Sequence, residues 1–351
     1  MRETSTVRTG EELDEVRLVE FLRSELRIPV DELVIRQFPA GSSNLTYSVT
    51  ADGREFVLRR PPFGNMVKTA HDMSREYEIL SRLTDAYPPA PKPVVYCGDE
   101  NVMGAEFYLM ERKRGLIIRG EAPEAMKESA ELSREVCRSF VGNLADLHRL
   151  DYEAIGLGDF GRPEGYTRRQ VVGWSQRYFN SKTDEWDELE EAIFWMNNNV
   201  PEDAGAALVH NDYKFDNVIF NPGDLTKVVG VLDWEMATVG SPLMDLGTTL
   251  GYWMSSEEGE EMLSMPFNPR LLMETASRKE IGEMYAEFSG RDVSNVCFYY
   301  VFGTIKIAVI AQQIYFRYKK GFTTDKRFER FDRLVRKLGI IASEAIRKGE
   351  I

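Results

Sequence analysis

The stretch LVHNDYKFDNVIF, Leu208–Phe220, sets a histidine, two aspartates, a lysine and two asparagines between short apolar runs. The apolar end continues, across the turn signal PGDLTK, into a second apolar run, VVGVLDW. Two such runs around a Gly- and Pro-containing turn read as a β-hairpin with the polar cluster at its edges. Asp212 and Asn217 stand five apart on the loop that enters this hairpin, and Asp233 closes it. That spacing lets one loop present a proton acceptor and a metal-ligating oxygen, with a second carboxylate delivered by the hairpin.

Outward from the hairpin, the two ends of the chain differ in texture. Residues 11–27 place Leu13, Val16, Leu18, Val19, Phe21, Leu22 and Leu26 on an approximate helical stripe. Three alternating runs follow in DELVIRQFPAGSSNLTYSVTADGREFVLRRPP, interrupted by the turns PAGSSN and ADG. An amphipathic helix, HDMSREYEILSRL, comes next. KPVVYCGDENVMGAEFYLMERKRG then supplies two more strands. These elements predict a first lobe over 1–112, with an N-terminal helix, a five-stranded antiparallel sheet and one further helix. The remainder, 113–351, predicts a mainly helical second lobe with helices near 122–149, 167–199, 273–289, 295–317 and 326–348. The fold class is therefore α+β in two lobes, which suits 351 residues because single cores seldom grow beyond roughly 250–300 residues.

Composition narrows the function. Hydrophobic residues make up 43% of the chain, enough for buried cores, and the formal net charge of −13 argues against nucleic acid as the main partner. The three cysteines, Cys97, Cys137 and Cys297, have neither disulfide-framework nor zinc-ligand spacing, so a reducing cytoplasm is the expected compartment. The first residues carry acidic side chains and no apolar segment, so no signal peptide is expected. The run CFYYVFGTIKIAVIAQQIYF, Cys297–Phe316, approaches membrane-spanning length but contains Lys306, Gln312 and Gln313. It reads as a buried helix, and no membrane partner is expected. No G-x-x-x-x-G-K-[ST] segment and no G-x-G-x-x-G after a strand are present, which removes the main warrant for P-loop and dinucleotide-binding chemistry.

The order H-x-D-x-x-x-x-N, hairpin, Asp is the one that ATP-dependent kinases use, since phosphoryl transfer needs positioning and neutralisation of charge. Together with FPAGSSNLTYSV, FVLRRPP, REYEIL, FYLMERKRG, LADLHRLD, LDWEMATVGSPLMDLG and YVFGTIKIAVIAQQIYFRYKKG, it resembles the aminoglycoside phosphotransferase and choline kinase-like superfamily. The resemblance runs from about residue 13 to about 340 and points in particular to the kinase domains attached to acyl-CoA dehydrogenases. It implies a protein kinase-like two-lobed fold, with ATP and Mg²⁺ as cofactors.

By that resemblance Asp212 is the catalytic base, Asn217 and Asp233 hold Mg²⁺, and His210 braces the loop. Lys214 is a candidate for contacting the transferred phosphate, with a solvated loop charge as the alternative. Ser42, Ser43 and Asn44 cover the nucleotide phosphates. Glu76 pairs with the strand cation, and Met110, Glu111 and Arg112 form the hinge that reads adenine. Two departures stand out. Arg59 occupies the place of the usual strand lysine, with Arg60 on the opposite strand face, and Asn211 replaces a glycine common between His and Asp. Asp245 reads as a loop-bracing or helix-start carboxylate, and His148 as a core histidine. The implied reaction moves the γ-phosphate of ATP to the hydroxyl of a small molecule. A hydroxyacyl thioester or related metabolite is the favoured acceptor, ahead of an aminoglycoside. The alternative is a catalytically silent, pseudokinase-like nucleotide-binding module that acts through a partner.

Overall fold

The computed structural model describes residues 4–39, 44–63, 72–263 and 269–351. The chain divides into two compact units, one comprising 1–114 with 229–237 and the other 115–228 with 238–351.

The first unit opens with α1 (Glu15–Leu26), whose N-terminus is capped by the Asp14 side chain accepting from the Arg17 amide. Next come β1 (Leu33–Gln37), β2 (Leu45–Ala51), β3 (Arg54–Arg60), α2 (Met73–Leu83), β4 (Pro93–Cys97), α3 (Glu100–Met103) and β5 (Phe107–Glu111). The five strands form one antiparallel sheet in the order β1-β2-β3-β5-β4. Leu18 and Leu22 of α1 pack with Tyr47, Val49, Leu58, Phe107 and Leu109 in its core. The stretch Val229–Ala237, assigned to the helical lobe on sequence grounds, groups here through its contacts. The Val231 amide donates to the Pro89 carbonyl at 2.9 Å, and Trp234 packs edge-on against Tyr87.

The second unit contains β6 (Leu116–Ile117), α4 (Glu124–Glu128), α5 (Ala130–Arg149), α6 (Tyr166–Ser181), α7 (Asp187–Asn198), β7 (Ala207–Val209) and β8 (Val218–Asn221). Strand β9 (Asp224–Val231) leads out of it, and β10 (Thr238–Gly240) returns to pair with β7. Helices α8 (Pro242–Tyr252), α9 (Glu260–Leu263), α10 (Arg270–Thr275), α11 (Arg278–Ser289), α12 (Val296–Lys319) and α13 (Phe331–Lys348) complete it. Strands β6, β8 and β9 make the small sheet whose β8–β9 hairpin the sequence anticipates.

The helical expectations are corrected in several places, among them 273–289, which divides at Ala276 and Ser277 into α10 and α11, Ser277 capping α11 by accepting from the Glu280 amide. The 122–149 segment breaks at Ser129, an extended residue that caps α5 by accepting from the Leu132 amide. The 167–199 segment becomes α6 and α7, and the buried Gln312 amide of α12 takes the Ser181 carbonyl released at the end of α6. Helix α8 is additional. Every one of its residues is buried, so it shows no amphipathic period. Helix α12 is the one described helix long and apolar enough to cross a membrane by length and composition, and 78% of its most apolar stretch is buried within the fold.

Helices α8 and α12 cross so closely that glycines face each other. A methyl group on Gly303 would overlap the Gly247 carbonyl, and one on Gly247 would overlap the Tyr299 carbonyl. Alanine improves helix propensity by about 1 kcal/mol, but overpacking against rigid backbone costs about 1–3 kcal/mol or more. Gly303→Ala is therefore expected to lower the chemical denaturation midpoint; an unchanged or raised midpoint would contradict this crossing.

Candidate active site

In the first unit, the site is built around Arg59 on β3. Alternation along β3 sends Arg59 and Arg60 to opposite faces. Arg60 donates to the Met103 carbonyl at 2.8 Å and lies over the Phe63 ring. Arg59, only 7% exposed, turns to carboxylates. Its Nη2 donates to Asp233 Oδ1 at 2.9 Å and lies 3.5 Å from Glu235, while its Nε stands 3.3 Å from Glu76 on α2. The contact with Glu76 is thus one ion pair rather than a two-pronged fork. Asn44 donates its amide to Glu235 at 2.7 Å.

Glu76 is fixed from a second side, because it accepts the Trp234 amide at 3.2 Å. Burial raises its pKa in spite of Arg59. Burial opposes the charge on Arg59, but Glu76, Asp233 and Glu235 outweigh that and hold it protonated. Asp233 itself sits in left-handed backbone, φ 69°, with a third of its side chain exposed. Ser42 and Ser43 lie outside the described residues. Of the expected hinge, Met110 is buried in β5, the Glu111 amide donates to the Lys92 carbonyl, and Arg112 pairs with Glu55.

In the second unit, the polar loop is held from beneath. Asp245, fully buried on α8, accepts the His210 amide at 2.6 Å and the Asn211 amide at 2.8 Å. Its Oδ2 also lies 3.1 Å from His148 Nε2. The other ring nitrogen of His148 is 2.7 Å from the Tyr285 hydroxyl. A hydrogen on Nε2 for Asp245 and an acceptor at Nδ1 for Tyr285 satisfy both. Burial alone would raise the Asp245 pKa, but the hydrogen bonds from His148 and from the His210 amide, with favourable electrostatics of both imidazole rings, bring it below the ordinary value. His210 accepts the Asp212 amide through Nδ1, which makes it the brace of the loop.

This clamp places Asp212. Its Oδ1 accepts from the Tyr252 hydroxyl at 2.8 Å, and its Oδ2 from the Asn217 amide at 3.0 Å and from Lys214. Asn217 gives a second bond to the Asp212 carbonyl. Both bonds use its nitrogen, which turns Oδ1, the atom able to ligate a metal, to the other side of the carboxamide. Lys214 also lies 3.7 Å from Asp216 and 5.4 Å from the Tyr252 ring centre. Tyr252 and Lys306, whose Nζ donates to the Asn211 carbonyl, were not singled out as site residues from sequence.

Among the described residues no three His, Cys, Asp or Glu side chains form a metal cage. Mg²⁺ needs none, since it binds through one or two carboxylates while retaining water and phosphate oxygens. The carboxylate-rich surroundings of Asp233 and the oriented Asn217 oxygen are both of the hard type it takes.

A sheet-based unit and a helical unit, with a clamped Asp–Asn loop in the second, define the two-lobed α+β fold of small-molecule kinases. Residues 34–266 match the phosphotransferase enzyme family, APH, and the chain belongs to that family. It is 33% identical to acyl-CoA dehydrogenase family member 11 of Gallus gallus over 95% of this chain and 44% of that protein. The chain therefore spans less than half the length of this relative. A solved structure from Ralstonia eutropha, provisionally assigned as an aminoglycoside phosphotransferase, is 26% identical with a TM-score of 0.80, covering 96% of this chain and 99% of its own. Choline kinase from Cryptosporidium parvum has a TM-score of 0.65 at 12% identity, covering 96% and 97%. An aminoglycoside phosphotransferase in ternary complex with ADP and hygromycin B has a TM-score of 0.59 at 13% identity, covering 93% and 98%. At these last two identities the likeness speaks for the fold alone.

Proposed function

We propose that the chain is an ATP- and Mg²⁺-dependent kinase that phosphorylates the hydroxyl of a small molecule, with a hydroxyacyl thioester as the favoured acceptor. The observation that carries this reading is Asp212. Both of its oxygens are fixed by side-chain donors, and its backbone rests on a loop clamped by a buried carboxylate, so the group is preorganised for proton transfer. In the proposed reaction Asp212 accepts the proton of the acceptor hydroxyl as its oxygen attacks. Lys214 contributes positive charge near the reacting oxygens. Asn217 and Asp233 hold Mg²⁺, which neutralises phosphate charge when bound. Arg59 keeps Asp233 in place, with Glu76 behind it, and the resemblance assigns phosphate binding to Asn44 and to Ser42 and Ser43, the last two outside the described residues. Met110, Glu111 and Arg112 form the adenine side.

The acceptor class draws support from the kinship with a protein named for acyl-CoA dehydrogenase. A reducing cytoplasm belongs to the same proposal, in keeping with three free cysteines.

The test is Mg-ATP turnover with a panel of hydroxylated metabolites, hydroxyacyl-CoA thioesters and aminoglycosides among them, read as phosphorylated product by mass spectrometry. Asp233→Ala is expected to weaken Mg²⁺-dependent nucleotide binding on the order of 10²-fold by calorimetry. A wild-type chain that binds Mg-ATP but phosphorylates nothing, with Asp212→Ala and Asp233→Ala changing no turnover, would overturn the kinase reading in favour of a silent binding module.

A further inference from the structure

Lys306 lies in the middle of α12, the long apolar helix, and is 2% exposed. Burying an ammonium costs several kcal/mol, and such a charge is normally repaid by a carboxylate. Here no carboxylate among the described residues stands within 4 Å of it. Its shortest bond, 2.5 Å, goes to the backbone carbonyl of Asn211. Thr248 Oγ1 at 3.5 Å and the Trp174 ring at 5.6 Å are weaker company.

The carbonyl it holds is a particular one. Asn211 sits at φ 64°, the left-handed region that few non-glycine residues adopt and asparagine among the most readily. Three groups hold it there. Asp245 takes its amide, Tyr166 bonds its side chain at 3.0 Å, and Lys306 takes its carbonyl. The Asn211 carbonyl belongs to the same peptide plane as the Asp212 amide, so the direction of that bond sets where the Asp212 side chain begins.

We propose that Lys306 is a positioning residue of the phosphotransfer site, whose buried ammonium anchors the Asn211–Asp212 peptide plane and so aims the Asp212 carboxylate. This rests on the kinase function proposed above. Burial lowers the Lys306 pKa to about 8, opposed by Asp212 and Asp245 and reinforced by Lys214 and Arg177. Those are the charges that act on it most strongly, from the loop, from α8 and from α6; α7 and α13, packed on the same helix, contribute none of them. The anchor is therefore charged at neutral pH and is released as pH rises through about 8.

The chain contains a single Asn–Asp step, at 211–212. Labelling asparagine with ¹³C at the carbonyl and aspartate with ¹⁵N thus isolates one peptide resonance, that of the proposed anchor. In the wild-type chain this resonance should titrate with a midpoint near pH 8. Lys306→Met should abolish that step, and Lys306→Arg, which stays charged, should abolish it too. In phosphoryl transfer, Lys306→Met should lower kcat about 10- to 100-fold with the KM for ATP within twofold, and Lys306→Arg should recover part of the loss. A wild-type resonance that does not titrate between pH 7 and 9 overturns the proposal, as does one that titrates unchanged in Lys306→Met. So does a folded Lys306→Met chain with wild-type kcat. If Lys306→Met fails to fold, the wild-type and Lys306→Arg titrations decide. A wild-type chain without any phosphoryl transfer defeats the kinase reading itself, while the titration still reports separately whether the anchor exists.

Discussion

Asp212→Asn should fold like the wild type and lose about 10²–10⁴-fold in kcat, the usual worth of a positioned general base. The substitution keeps the shape of the side chain but removes its charge and its ability to take a proton. The Tyr252 hydroxyl and the Asn217 amide both donate to the carboxylate, and Lys214 pairs with it. An asparagine can satisfy one of these donors through its oxygen and must turn its own NH₂ toward another. The reacting geometry is then lost along with the base, whereas the Asp245 clamp, which bonds backbone rather than side chain, is untouched. The KM for ATP should stay within a few-fold. Single-turnover kinetics with an identified acceptor separates the outcomes. A rate within threefold of wild type would show that the hydroxyl proton leaves by another route.

The parts of this arrangement that were legible in the sequence are those written in local spacing. Strand alternation separates Arg59 from Arg60, the turn ADG joins two strands of the first sheet, and Asp212, Asn217 and Asp233 follow one another along a loop and hairpin. The parts that were not legible depend on what lies far away in the chain. Tyr252 reaches Asp212 across forty positions and Lys306 reaches Asn211 across ninety-five, and no local pattern encodes either contact. Only the oddity of one lysine in an apolar run pointed at Lys306, and it served as an argument against a membrane span. Helix α8 escaped for a related reason. A helix buried on all sides has no polar face, and its Gly247 and Gly251 lower helix propensity while serving the close approach of α12. The long helical segments broke either at a local serine cap, as at Ser129, or where a distant side chain took up a freed backbone group, as Gln312 does for Ser181.

Asp245→Ala should be the most destabilising single change at the site, by about 3–5 kcal/mol, the range for removing one partner from a buried charged network. Three donors converge on this carboxylate: two consecutive amides, of His210 and Asn211, and His148. Removing it leaves all three buried without their acceptor. Asp245→Asn should fare little better, since its amide nitrogen must face one of the donors. For a unit of this size the loss corresponds to a fall in thermal midpoint on the order of 10 °C. The sign of the pH dependence follows from the depressed pKa of the folded state. The stabilisation is fully present above the unfolded value of about 4 and is lost as pH falls through the lower folded value. At neutral pH the variant therefore shows its whole deficit, and the gap to wild type should narrow only in strong acid. A midpoint within 1 °C of wild type at pH 7 would mean that the loop is held by something other than this clamp. The same variant also acts on the anchor above the loop. Asp245 is one of two carboxylates that favour the charged form of Lys306. Without it the titration seen at the Asn211–Asp212 peptide should move below pH 8, so that the catalytic loop loses its support from α8 and part of its support from α12 at once.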